Sequence, residues 1–251
     1  MIDIVKRIEK KINFYLKGKN NKKLLLMISG GLDSTVLFDI LLNLHKRKKI
    51  QLSLLHYNYN ANENAGAAEQ LCRKLSIENN IKLIVKKNKI SKNNFEHKAR
   101  IFRYSIAKKI SKNDNISIIL TAHHFDDQIE TLIMKDESKS DWVSFLGIRK
   151  RYNFIYRPLL DIKKEEIYIY AKNNKLKWIE DPTNVLKKYK RNNIRYLLKN
   201  NKYKKSYLAQ LIDAHKDAKK KINKFNLVYK KHLSTIVTIN KNNSITISPI
   251  T

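Results

Sequence analysis

Apolar positions recur at helical spacing at Ile4, Val5, Ile8, Ile12, Tyr15 and Leu16, and the apolar run Leu24 to Ile28 then meets Ser29-Gly30-Gly31. That pattern predicts a helix, a buried strand and a glycine turn. The helical period returns from Thr35 to about Lys46. Short apolar runs at Ile50 to Tyr57, Ile81 to Val85 and Ile116 to Thr121 are separated by helical patterns around 65–79 and 94–110. Strand and helix alternate, so the expected fold is α/β, a parallel sheet with helices on both faces. Such sheets bind ligands beyond the carboxyl ends of their strands. After Asn201, helical spacing through Leu208, Leu211, Ile212 and Ile222 to Leu227 leads to two β-like runs around Lys241-Asn242-Asn243, a hairpin pattern. The expected organisation is a main domain over 1–200 and a short helical and β tail over 201–251.

Composition narrows the class. At 251 residues and 42% apolar, the chain can bury the core an enzyme requires. No basic start leads into an unbroken apolar run, and no stretch approaches the roughly 20 apolar residues of a membrane span, so a cytosolic location is expected. The single cysteine, Cys72, excludes an internal disulfide, a C-x-x-C redox pair and a multi-cysteine metal site within one chain. With 53 Lys plus Arg against 22 Asp plus Glu, the formal charge of +31 favours polyanions such as nucleic acid. Lysine, asparagine and isoleucine are nevertheless abundant along the whole chain, so charge alone reads equally well as compositional bias.

Two motifs carry chemistry, and both follow predicted buried strands. Ser29-Gly30-Gly31-Leu32-Asp33-Ser34 lies between a strand and a helix, where backbone N–H groups and the helix dipole hold phosphate. Only five glycines occur in the chain, which gives the adjacent pair more weight. No lysine follows them, so this is not the lysine-containing phosphate loop of common NTPases. The second cluster, Thr121-Ala122-His123-His124-Phe125-Asp126-Asp127-Gln128-Ile129-Glu130-Thr131, sets two imidazoles and three carboxylates at the same expected sheet edge. So many ionisable groups are costly in a core. A helix starting near Asp126 puts Asp127 and Glu130 on one face, suited to a cationic or metal ligand. His123 has an ordinary pKa near neutrality and suits acid or base work. The H-E-x-x-H order of metalloproteases is absent.

The first motif resembles the pyrophosphate loop of the N-type ATP pyrophosphatases. The ordered set resembles the tRNA(Ile)-lysidine synthetases: S-G-G-x-D-S, then Glu96-His97-Lys98-Ala99-Arg100-Ile101-Phe102-Arg103-Tyr104, then the His123–Thr131 cluster. Arg157-Pro158-Leu159-Leu160, Trp178-Ile179-Glu180-Asp181-Pro182-Thr183-Asn184 and Arg191-Asn192-Asn193-Ile194-Arg195 extend the match over about residues 22–200. The resemblance implies ATP and Mg2+ as cofactors, with free L-lysine and an isoleucine tRNA bearing a C-A-U anticodon as substrates. It implies that Ser29, Gly30, Gly31, Leu32, Asp33 and Ser34 hold the phosphates, with Asp33 at the metal. By the same analogy, His56 and Asn58 flank adenine, Asp127 and Glu130 hold lysine, and His123 and Arg103 flank the reacting centre. Arg191 and Arg195, four apart, suit tRNA phosphates or a solvated basic face. Arg100 is equally a substrate contact or a structural ion pair, and Tyr59 after the second strand is either a base-stacking ring or simple packing. Family analogy alone suggests a homodimer.

The pattern also departs from the family. A glycine-rich loop is expected after Thr131, whereas the chain has Lys135-Asp136-Glu137-Ser138-Lys139-Ser140-Asp141-Trp142, with Gly147 the only glycine nearby. That loop must be rebuilt without the positive φ angles that glycine supplies. The family's C-terminal tRNA-binding domain is expected to be largely missing, because residues 202–251 alone follow Asn201. Among enzymes with the same pyrophosphate loop, tRNA thiolases need paired cysteines, and NAD and GMP synthetases lack the combined downstream signatures. A non-catalytic RNA-binding protein of the same fold is the rival from another class, and the intact Ser29–Ser34 turn, His123, Asp127 and Glu130 argue against it.

Overall fold

The computed structural model describes residues 4–20, 22–60, 63–88, 95–180, 182, 190–239 and 245–247. Asp181, Thr183 and Asn184 of the expected E-D-P-T-N motif, and the turn around Lys241, lie outside these residues. The described chain forms two compact units, one of residues 1–128 and 148–196, the other of residues 129–147 and 197–251.

The first unit opens with α1 (Ile4–Leu16), whose buried residues Ile4, Ile8, Ile12 and Leu16 keep the helical period read from the sequence. Then β1 (Lys23–Met27), α2 (Leu32–Lys46), β2 (Gln51–Asn58), α3 (Ala65–Glu78), β3 (Leu83–Lys87), α4 (Phe95–Asn113) and β4 (Ile118–Leu120) alternate as expected. Two strands of two residues, β5 (Arg151–Tyr152) and β6 (Ile155–Tyr156), the helix α6 (Lys164–Asn173) and the part of α7 (Lys190–Lys199) up to Tyr196 complete the unit. The sheet order is β3-β2-β1-β4-β6-β5. All neighbours run parallel except β5, which pairs antiparallel with β6.

Alternation along the strands produces the two covered faces. Leu24, Leu26, Leu52, Leu54, Ile118 and Leu120 join Ile8, Ile12, Leu37, Leu41 and Ile167 in the larger core. Leu25, Leu55 and Ile119 turn to the opposite face and meet Ala107 of α4. Polar ties brace the helices on the larger core: the Arg7 guanidinium meets Glu166 at 2.6 Å, and the Tyr170 hydroxyl donates to Asp39 at 2.7 Å.

Helix α5 (Phe125–Glu137) begins in the first unit and continues into the second. Beyond it, the segment expected to need rebuilding forms a short 3-10 turn over Trp142–Leu146. Lys139 takes φ 47° and Gly147 φ 56°, so one lysine of this segment adopts a left-handed backbone. The long helix α8 (Lys205–Ile236) supports this stretch: His215 Nδ1 lies 2.7 Å from the Phe145 carbonyl, and the Tyr207 hydroxyl donates to Asp136 at 2.7 Å. The hairpin pattern appears as β7 (Val237–Ile239) paired antiparallel with β8 (Ile245–Ile247). No helix among the described residues is long and apolar enough to cross a membrane.

Leu54 is fully buried at the centre of the sheet, whereas Ile77 is 79% exposed on α3. Leu54→Ala should lower the free energy of unfolding by about 2–5 kcal/mol, and Ile77→Ala by less than about 0.5, in urea titrations. Equal losses would contradict this assignment of the core.

Candidate active site

β1 and β4 are neighbours, with Leu24 and Leu26 opposite Ile118 and Leu120, so both motifs emerge at one carboxyl edge of the sheet. After β1 the chain turns at once. Gly30 has φ +82°, and a Cβ there would stand 3.0 Å from the Ala68 backbone oxygen, so position 30 requires glycine for both conformation and space. The Gly30 carbonyl accepts from the Ile179 N–H at 2.9 Å, which ties the turn to the segment before the E-D-P-T-N motif.

The two serines hold the turn in shape. The Ser29 N–H donates to Ser34 Oγ at 3.1 Å, Ser34 Oγ donates to the Gly31 carbonyl at 3.0 Å, and the Gly31 N–H donates to Ser29 Oγ at 3.2 Å. Gly31 caps α2 without a side-chain hydrogen bond. The first-turn N–H groups of a helix have no intrahelical acceptors, so this end of α2 suits an anion. Asp33, in that first turn, is paired: Lys164 Nζ lies 2.7 and 2.8 Å from its two carboxylate oxygens.

At the end of β4, Thr121 Oγ1 lies 2.9 Å from His123 Nδ1. Asp127 reaches back to accept the His124 N–H at 2.9 Å, a capping interaction that starts α5. His124 is buried, and its Nε2 is 3.7 Å from Asp33 and 3.5 Å from Asp127, while Nδ1 is 3.7 Å from Asp126. One imidazole thus links the glycine turn to the acidic cluster. Burial opposes a charge on His124, but the carboxylates of Asp126, Asp127 and Asp33 outweigh it and raise the pKa above its ordinary value.

Asp127 Oδ1 also receives Arg191 at 2.9 Å and Arg195 at 3.4 Å. The two arginines read as tRNA contacts or a basic face therefore converge on the carboxylate read as a lysine ligand. Burial pushes the Asp127 carboxyl up, yet the His124 and Arg191 charges prevail and hold it at about 2. Glu130 lies one helical turn further along α5 and is 2% exposed.

Burial lowers the His123 pKa, and the guanidiniums of Arg157, Arg191 and Arg100 lower it further against the pull of Asp127. The ring is therefore neutral near pH 7, and the lowered pKa makes it a weaker proton acceptor than a free imidazole for as long as those guanidiniums stay beside it. Of the two arginines three apart on α4, it is Arg100 whose charge bears on His123. Arg103 instead bears on Tyr57 and Tyr59. Those rings stack at 6.1 Å, and Tyr59 donates to the Ala99 carbonyl at 3.2 Å, so Tyr59 serves packing here. His56 and Asn58 are buried at the end of β2. His56 Nδ1 lies 2.9 Å from the Ile28 carbonyl, and Asn58 donates to Glu69 at 2.8 Å.

Three residues join the site without having been singled out by the sequence. His124 was quoted within its motif, but nothing local marked it as the link between the two strands. Arg157, quoted within its R-P-L-L motif, is 3% exposed, donates to the Arg149 carbonyl at 2.7 Å and bears on His123 through its charge. Lys164 carried no signal among 53 basic residues. Among the described residues no group of three or more His, Cys, Asp or Glu is arranged to hold a metal. Asp33, in the first turn of α2, fits a magnesium ion carried largely by substrate phosphates rather than by a protein cage.

Residues 4–201 match the family model of the PP-loop domain. The chain is 36% identical over 193 residues to tRNA(Ile)-lysidine synthase of Wolbachia pipientis wMel, an alignment covering 71% of this chain and 43% of the relative. It is 29% identical over 194 residues to tRNA(Ile)-lysidine synthase of Enterococcus faecalis, covering 72% and 42%. It thus spans less than half the length of these curated relatives. Among solved structures, U34-tRNA thiolase NcsA from Methanococcus maripaludis superposes with TM-score 0.62 at 20% identity, covering 85% of this chain and 79% of that one. NH3-dependent NAD synthetase from Campylobacter jejuni superposes with TM-score 0.51 at 17% identity, covering 86% and 95%. At these identities the likeness is one of fold.

The Asp127 pairing has a pH signature. A carboxyl held at about 2 in the folded state, against about 3.9 when unfolded, stabilises fully above the unfolded value and loses its contribution as pH falls through the folded one. Urea titrations should show stability declining from about pH 4 to pH 2, with a shallower slope in Asp127→Asn. An identical slope in the variant would contradict the pairing.

Proposed function

The chain belongs to the PP-loop domain family, and on that premise we propose that it uses ATP to join free lysine to the wobble cytidine of an isoleucine tRNA with a C-A-U anticodon, forming lysidine. One observation carries the reading: His124 Nε2 stands 3.7 Å from Asp33 and 3.5 Å from Asp127, so a phosphate-binding turn and an acid–base cluster form one continuous site. The similarity to lysidine synthases over 193 and 194 residues supports the same substrates.

The chemistry divides into two displacements. The cytidine 2-carbonyl oxygen attacks the α-phosphate of ATP, an O–P bond forms and pyrophosphate leaves. The ε-amine of lysine then attacks C2, the C–N bond forms, AMP leaves with the former carbonyl oxygen, and the amine gives up a proton. Adenylation is needed because an oxygen at C2 is a poor leaving group until it carries phosphate. A magnesium ion arriving with ATP would be held by Asp33 and the phosphates and would supply charge neutralisation to the departing pyrophosphate.

The residues of this chain supply position and proton transfer. The turn Ser29, Gly30, Gly31, Leu32, Asp33 and Ser34 orients the phosphates at the terminus of α2, and Asp33 would supply a carboxylate to the metal. His56 and Asn58, at the end of β2, serve the adenine side through the backbone they hold. His123 takes the amine proton once phosphate has drawn away the guanidiniums that lower its pKa. Asp127 and Glu130 hold the lysine ammonium. Arg100 and Arg103 on α4 counter the negative charge of the transferring phosphate.

Arg191 and Arg195 give the order of events a physical basis. Both lie on Asp127 in the structure described here, and tRNA phosphates draw the same guanidiniums away, opening Asp127 to lysine. A thiolase reading finds no support, because the only cysteine, Cys72, is buried. The same reading places the protein in the cytosol, as a homodimer by family analogy.

The test incubates purified protein with ATP, labelled lysine and C-A-U tRNA. Lysine should enter the tRNA with release of pyrophosphate and AMP. Asp127→Ala should reduce incorporation by at least about a hundredfold while ATP affinity stays within about threefold of wild type, as expected for a group that acts on the second substrate. A folded, ATP-binding protein that never incorporates lysine would overturn the assignment, and retained incorporation in Asp127→Ala would remove Asp127 from lysine binding.

A further inference from the structure

We propose that Lys164 is a triphosphate-binding residue, which leaves Asp33 to contact the β- and γ-phosphates of ATP and then the departing pyrophosphate. The proposal rests on the nucleotide reading above and extends it to a residue outside the recognised motifs. The Ser29–Ser34 turn contains no cation, and its donors are neutral N–H and hydroxyl groups. Lys164 stands 131 positions from Asp33 in sequence, yet its ammonium lies 2.7 and 2.8 Å from both Asp33 oxygens, beside the first turn of α2. Folding thus brings to the phosphate end of the site the lysine that other nucleotide loops carry within themselves.

The surroundings of Lys164 suit an exchange of partners. Its backbone N–H donates to Asp126 Oδ2 at 2.8 Å, so the main chain is fixed at the start of α6. The side chain is 42% exposed and the Asp33 carboxylate 27% exposed, so both ends of the pair are open to solvent. An ammonium on a flexible four-carbon stem can move a few ångströms without disturbing that anchor. A magnesium ion arriving with ATP would compete for Asp33, and the ammonium of Lys164 would then pair with the phosphates. Lys164 and Asp33 neutralise each other before the nucleotide arrives, and each gains a stronger partner when it does.

Isothermal titration of the whole protein with AMP, Mg·ATP and inorganic pyrophosphate separates this role from a structural one. Lys164→Ala should weaken Mg·ATP and pyrophosphate by at least about tenfold and leave AMP within about twofold, because AMP lacks the phosphates in question. Lys164→Arg should recover most of the loss, since a guanidinium also binds phosphate. Unchanged Mg·ATP and pyrophosphate affinity in Lys164→Ala would overturn the proposal, as would an equal loss for AMP, which would mark Lys164 as a brace of the turn. Should Lys164→Ala fail to fold, Lys164→Gln gives the same comparison. If wild type binds AMP and Mg·ATP and only the proposed selectivity is missing, Lys164 alone is misassigned. If wild type binds neither, the nucleotide reading falls and this proposal with it.

Discussion

The pairing of β4 against β1 is the constraint from which the site follows. Leu24 to Leu26 lie opposite Ile118 to Leu120 in parallel register, so two segments about ninety residues apart in sequence end side by side. Each strand is buried on both faces, which leaves no freedom for a shifted register without exposing leucine or isoleucine. The glycine turn after one strand and the His-His-x-Asp-Asp segment after the other therefore meet with a geometry set by the core. His124 occupies the junction, within 3.7 Å of Asp33 and 3.5 Å of Asp127.

Charge pairing determines the state of that junction before any substrate arrives. Each of its two important carboxylates already has a cation: Asp33 has Lys164, and Asp127 has Arg191 and Arg195. Those cations are the groups that phosphates of a nucleotide or an RNA backbone would attract. On the proposed function, such wiring would couple binding to activation, each incoming polyanion releasing a carboxylate for a metal or an ammonium ion. For Asp127, which is 8% exposed, an unpaired state would carry the cost of a buried charge. The neutral state of His123, held by burial and three guanidiniums, fits a base that works only after such a rearrangement.

The helices and long strands were legible in the sequence because burial has a period: Ile4, Ile8, Ile12 and Leu16 mark α1, and the uninterrupted leucines of β1 mark a strand covered on both sides. The glycine turn was legible because glycine is scarce, and Gly30 proves to need both its positive φ and its missing side chain. The strands β5 and β6 were not, since two residues carry no period. Spacing alone placed Arg191 and Arg195 on one helix face but could not show that this face meets Asp127. It likewise could not separate Arg100 from Arg103, whose neighbours are set by the turn of α4 over β2 and β4. Lys164 was invisible for a different reason. In a chain with 53 basic residues, only tertiary structure distinguishes the lysine beside the α2 terminus from those that merely face water.

The central claim is that a triphosphate lies across the turn between β1 and α2. A crystal structure of the protein with magnesium and α,β-methylene ATP, which cannot be cleaved at the reacting bond, tests it directly. The account predicts β- and γ-phosphates on the N–H groups of Leu32 to Ser34. Nucleotide bound elsewhere, with the Ser29 and Ser34 hydroxyls still closing the turn on itself and Asp33 still paired as it is now, would contradict it.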